Sequence, residues 1–134
     1  MPFVRIFLKE RTQQERRAIA NTVHEAMVEA LGVPEGDRFQ VVSSHGEDLV
    51  YDRSYLGMNR TDGIVFIQVF LAQGRTVGQK KRLFRALSDK LSAGHGLAPD
   101  DLLVNLVELA RENWSFGRGI AQYADAVPPH LAAS

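Results

Sequence analysis

The chain carries one pattern twice, and that repetition limits its fold more than any other feature. Slid over itself by 64 residues, the sequence places Arg11-Thr12 on Arg75-Thr76 and Gly32-Val33 on Gly96-Leu97. Ile19, Val23 and Met27 fall on Leu83, Leu87 and Leu91, and Asp37 falls on Asp101, with no gap between. Two copies are too few for a solenoid, whose units need several neighbours to bury their apolar faces. A duplicated supersecondary unit is the reading that remains.

Each copy has the same parts. Residues 3–8 and 64–71 are β-branched and aromatic runs of strand length. Thr12 with Glu15, and Thr76 with Gln79, match the capping box that opens a helix. Apolar residues then recur every four positions, giving each helix one buried stripe. Gly32 and Gly96 stand where a helix C-cap is expected. Residues 39–43 and 102–109 supply the closing strands. Between the halves, 49–51 is expected to add a short strand and 57–63 reads as a loop.

The fold class is therefore α/β (α+β): a tandem β-α-β repeat forming a four-stranded mixed sheet, with two right-handed crossover helices on one face. At 134 residues the chain is expected to form a single domain. Its pseudo-repeat covers 2–45 and 64–109, and the segment 110–134 is left to complete the site or the oligomer. Along the third strand Val65, Ile67, Val69 and Leu71 point one way, and Ile64, Phe66 and Phe70 the other. Both faces are apolar, as in a sheet covered on both sides. Two helices cover one, so other copies of the chain are expected on the second.

Composition narrows the function. Sixteen basic residues balance sixteen acidic ones, so nothing global draws the chain to nucleic acid or an anionic membrane. There is no cysteine, which removes disulfides, thiolate chemistry and Cys-ligated zinc. His24, His45, His95 and His130 have no ligand spacing, so no metal is expected. The N-terminus is not expected to be a signal peptide, and the longest apolar run, 64–72, is broken by Gln68. A cytoplasmic protein is expected.

Proline directly after the initiator methionine has two readings. Lacking an N–H, it is tolerated at the first position of a strand. It also becomes a secondary amine at the chain start once Met1 is removed.

Pro2, the stretch Gly32-Val33-Pro34-Glu35-Gly36-Asp37-Arg38-Phe39-Gln40, Gly74-Arg75-Thr76 and Trp114-Ser115-Phe116-Gly117-Arg118-Gly119 together resemble the tautomerase superfamily, and within it the malonate semialdehyde decarboxylase family. The resemblance runs over nearly the whole chain. It implies a homotrimer without cofactor, a catalytic Pro2 amine with Asp37 and Arg75, and an aromatic wall from Trp114 and Phe116 that Tyr123 extends. A second arginine found in several such decarboxylases is replaced by Gln73, which donates hydrogen bonds but offers no bidentate charged clamp.

The implied substrate is a small carboxylate or oxo acid. An ordinary α-amine titrates near pKa ~8; burial lowers it, Asp37 holds it up and Arg75 opposes that. A neutral amine is a base or a nucleophile towards an aldehyde, and a protonated one polarises a carbonyl. Decarboxylation of malonate semialdehyde (3-oxopropanoate) or a similar 3-oxo acid, with hydration of unsaturated acids beside it, is the first expectation. A keto–enol tautomerase of enol-pyruvate compounds is the alternative, and a non-enzymatic ligand-binding α/β module is the rival from another class. Asp37 and Arg75 have repeat mates, Asp101 and Arg11, for which a turn aspartate and a solvated helix start suffice.

Overall fold

Matching local signals produce matching elements. In the computed structural model, which describes residues 2–126, the first unit runs β1 (Phe3–Lys9), α1 (Gln13–Leu31) and β2 (Phe39–His45). The second runs β3 (Val65–Ala72), α2 (Val77–His95) and β4 (Leu102–Leu109). Both helices open on threonine: the Thr12 hydroxyl accepts the Glu15 N–H at 3.1 Å, and the Thr76 hydroxyl accepts that of Gln79 at 3.1 Å. Only α2 completes the box, where Gln79 Oε1 accepts the Thr76 N–H at 2.9 Å. Gly32 and Gly96 close the helices at φ of 67° and 65°. A side chain at such an angle would cost about 1–2 kcal/mol.

The helix stripes pack on one face of the sheet. Ile19, Val23 and Met27 from α1 and Leu83, Leu87 and Leu91 from α2 meet Val4, Ile6, Leu8, Val65, Ile67, Val69 and Leu71 in one core. The strand order is β2-β1-β3-β4. β1 is parallel to β2 and β3 to β4, while β1 and β3 run antiparallel, with Phe3 opposite Phe70 and Leu8 opposite Val65. The starts of β1 and β2 therefore share one end of the sheet with the finishes of β3 and β4. The starts of β3 and β4 lie at the other end.

The face away from the helices is open and largely apolar, crossed at mid-sheet by a polar row of Arg5, Gln68 and Asn105. Phe3, Phe39, Val41 and Leu103 keep 40–47 % of their surface exposed there. Phe3 meets Phe70 edge-on at 6.0 Å across the strands.

Residues 49–51 do not form the expected strand. Leu49 is buried and Val50 exposed, so the alternation is real, but side chains bind the backbone that follows and no ladder forms. The Asp52 carboxylate accepts the N–H groups of Ser54 and Tyr55 at 2.9 and 2.7 Å, and Arg60 donates to the carbonyls of Asp52 and Tyr55.

Candidate active site

The topology collects the site residues from distant parts of the chain. Pro2 is buried immediately before β1, and Asp37 lies half-buried two residues before β2. The Asp37 N–H donates to the Pro34 carbonyl at 3.0 Å, which makes the turn into the strand. Because β1 and β2 are parallel neighbours, both residues stand at the same end of the sheet. β3 finishes there too, and Gln73 and Arg75 follow in the turn to α2. Gln73 is exposed, with its backbone N–H on the Leu109 carbonyl at 2.9 Å.

Arg75 is 8 % exposed. Its Nη1 donates to the Ala72 carbonyl at 3.2 Å, and its Nη2 is buried with no hydrogen-bond partner. Burial pushes the guanidinium below the ordinary arginine value, opposed by Glu108 and Tyr123. Glu108 is itself held by Lys80 at 2.6 Å. A buried cation with an unused donor can take an anion, since leaving that donor unmade carries the full cost of its desolvation.

The aromatic residues arrive on the segment after β4. Gly117, Arg118 and Gly119 have φ of 133°, 60° and 66°, three successive positive angles that turn the chain back sharply. The Gln122 side chain clasps this turn, accepting the Phe116 N–H at 2.9 Å and donating to the Gly117 carbonyl at 3.1 Å. Phe116 consequently stacks on Trp114 (5.5 Å, 4° between planes) and meets Tyr123 at 5.0 Å. All three pack on Ala72, the last residue of β3, and Phe116 also lies 6.1 Å from Phe39, the first of β2. β1 runs between those strands, so the cluster passes the start of β1, where Pro2 stands. A cleft of about 600 Å³ opens between the cluster and the sheet, lined by Phe3, Arg5, Phe39, Phe70, Trp114 and Phe116 among others.

The repeat mates do different work. Asp101, 2 % exposed, accepts the Thr61 N–H at 2.6 Å and the Thr61 hydroxyl at 2.5 Å. Arg11 donates to the Gly63 carbonyl at 3.2 Å. That pair ties down the loop before β3 at the opposite end of the sheet. Arg11 is thus a loop anchor and not the solvated helix start that its sequence context implies.

Sequence reasoning did not reach several residues here. Phe3 and Phe70 line the cleft as members of a period-two strand pattern, which marks a face and not a site. Arg111, beside Gln73 in a smaller cavity of about 330 Å³, and Glu108 and Lys80 behind Arg75, gave no signal at all. Met1, His130 and the end of the segment 110–134 beyond residue 126 lie outside the described residues. Among the described residues no group of three or more His, Cys, Asp or Glu is placed to hold a metal ion, and no helix is long and apolar enough to cross a membrane.

A strand–helix–strand repeat with a buried proline at its start, a buried arginine and an aromatic wall at one end of the sheet defines an enzyme of the tautomerase type. The model of a family described as tautomerase enzyme matches residues 37–117, a second of the same description matches residues 2–51, and the chain belongs to this family. It is 37 % identical over 124 residues to YusQ, a probable tautomerase of Bacillus subtilis (strain 168), covering 91 % of this chain and 98 % of that one. Among solved structures it is similar to the FG41 malonate semialdehyde decarboxylase inhibited by 3-bromopropiolate, at 40 % identity and a TM-score of 0.87, over 94 % of this chain and 99 % of the other. A second malonate semialdehyde decarboxylase, described with decarboxylase and hydratase activities, is 34 % identical with a TM-score of 0.84, over 90 % and 95 %. The fold is the tautomerase fold expected from the sequence, and the chain is an enzyme of lyase or isomerase type, which sets the non-enzymatic module aside.

Proposed function

We propose that this enzyme decarboxylates malonate semialdehyde or a similar small 3-oxo acid with the amine of Pro2, exposed when Met1 is removed. The observation that carries this reading is the buried Arg75 with an unpartnered Nη2, at the end of the sheet where β1 begins. Arg75 binds the substrate carboxylate, and the Pro2 amine, as an ammonium or after condensing to an iminium, draws electrons at the carbonyl carbon. The bond between the carboxylate carbon and C2 breaks, its electron pair moves towards the carbonyl carbon, and CO2 leaves into the aromatic wall. A proton then adds at C2, so that 3-oxopropanoate and one proton give CO2 and acetaldehyde. Asp37 orients the amine or activates water, which admits hydration of unsaturated acids as a side reaction. Gln73, Trp114, Phe116 and Tyr123 line the substrate's path.

A keto–enol tautomerase of enol-pyruvate compounds is the second reading, favoured by Gln73, which supplies no second charge. We further propose a homotrimer in the cytoplasm. Support for the oligomer comes from the open apolar face, and the number three comes from the family resemblance.

Proton NMR of untagged protein with 3-oxopropanoate tests the first reading. Acetaldehyde should appear with the wild type and form about 10²–10⁴ times more slowly with Pro2→Ala. No acceleration over buffer refutes the decarboxylase and turns attention to enol-pyruvate substrates.

A further inference from the structure

Among the described residues four buried side-chain polar atoms lack a hydrogen-bond partner: His45 Nε2, Arg75 Nη2, Arg111 Nε and Trp114 Nε1. Each unmade bond costs about 1–3 kcal/mol, so each needs a reason. Two of the four belong to residues that touch Ala72. Arg75 donates its other terminal nitrogen to the Ala72 carbonyl, and Trp114 packs on Ala72. Of the other two, His45 lies beside Phe7 at the finish of β2, at the other end of the sheet, and Arg111 lines the smaller cavity with Gln73, at this end but in its own pocket.

The Trp114 ring is firmly set. It stacks on Phe116 with 4° between the planes, and its backbone N–H reaches the Arg111 carbonyl at 3.3 Å. Buried tryptophans ordinarily satisfy the indole N–H. A ring serving only as an apolar wall gains nothing from shutting its one polar atom away from water. The ring packs instead on Ala72, the residue whose carbonyl holds Arg75.

We propose that Trp114 Nε1–H is a substrate donor, which together with Arg75 Nη2 holds the two oxygens of one carboxylate. This rests on the functional reading above and narrows its substrate class to small monocarboxylates gripped by one charged and one neutral donor. The arrangement suits decarboxylation. A carboxylate leaving as CO2 loses its charge, and an indole N–H positions it while stabilising the departing anion less than a second guanidinium would.

The chain has one tryptophan, so 15N-labelled full-length protein has one indole N–H resonance to follow. Titration with propanoate, an unreactive carboxylate, should move that resonance downfield along a saturating curve, while the neutral propanamide leaves it in place. Trp114→Phe keeps an aromatic ring and should bind propanoate about tenfold more weakly, the loss of one hydrogen bond to a charged group. An indole resonance that stays put while propanoate saturates the protein, or that answers propanamide equally, overturns the proposal. The wild-type titration needs no variant to fold. If the wild type turns over 3-oxopropanoate while its indole resonance ignores propanoate, the donor role alone fails. If it neither turns over 3-oxopropanoate nor binds propanoate, the decarboxylase reading fails and the donor role with it.

Discussion

Replacing Asp101 by alanine should cost stability and spare the chemistry, and replacing Asp37 should do the reverse. Asp101 is 2 % exposed and accepts two hydrogen bonds from Thr61. A bond to a charged group contributes about 1.5–3 kcal/mol. Thr61 is exposed and its freed groups can hydrate, so the lower figure applies, giving about 3 kcal/mol for the pair. With an unfolding entropy of about 2.1 cal/mol/K per residue, 134 residues give roughly 0.28 kcal/mol/K and a fall in Tm of about 10 °C. Calorimetry at matched protein concentration measures it, since an oligomer's Tm depends on concentration. Rates taken well below both melting points complete the comparison. Asp101→Ala should keep kcat/KM within about twofold, and Asp37→Ala should lose about 10²-fold or more with a smaller fall in Tm. An Asp101→Ala protein that melts like the wild type, or that is as inactive as Asp37→Ala, refutes this division of labour.

Gln73→Arg places a second charge in the turn beside Arg75 and should lower KM for 3-oxopropanoate by up to about tenfold; an unchanged KM means that residue 73 does not meet the carboxylate. Leu103→Lys puts a charge on the open face at the end of the sheet away from the site, and light scattering should show a smaller assembly, whereas an unaltered mass means that this face is no interface. The Asp52 carboxyl is held below its ordinary value chiefly by the N–H groups of Ser54 and Tyr55, and that of Asp62 by the Tyr51 hydroxyl and Lys9. Groups depressed in this way stabilise the fold above the unfolded pKa and lose that contribution as pH falls through the folded one. Thermal melts should therefore decline below about pH 4, less steeply in Asp52→Asn; identical acid limbs would count against the loop's role.

The repeated unit was legible because its signals are local. Threonine caps, four-residue apolar spacing and glycine at the helix ends each depend on a few adjacent residues, and the elements formed where these stood. Residues 49–51 misled because burial alternates there as in a strand, while Asp52, Arg53 and Arg60 bind the following backbone and no ladder forms. The candidate site was proposed only through resemblance. Nothing local distinguishes Asp37 from Asp101 or Arg75 from Arg11, because the repeat writes both pairs alike. What separates them is long-range: Thr61 and Gly63 reach one pair, and the folded-back segment carrying Trp114 and Tyr123 covers the other end. The Gly117-Arg118-Gly119 run announces a turn, but which ring it lays on Ala72 follows only from the closed fold.

Two units joined in series have a single beginning between them. The second starts its strand at an interior peptide bond after Ile64, whose nitrogen is an amide and has no basicity. Under the proposed chemistry, the corner beside Asp101 and Arg11 therefore has no catalyst to serve, and its residues are free to become a fastening for the preceding loop. The second unit thus has a mechanical joint where the first has the proposed reactive terminus. Circular permutation that opens the chain before Val65, with proline placed there, would restore the missing amine at that corner and undo the fastening in the same cut.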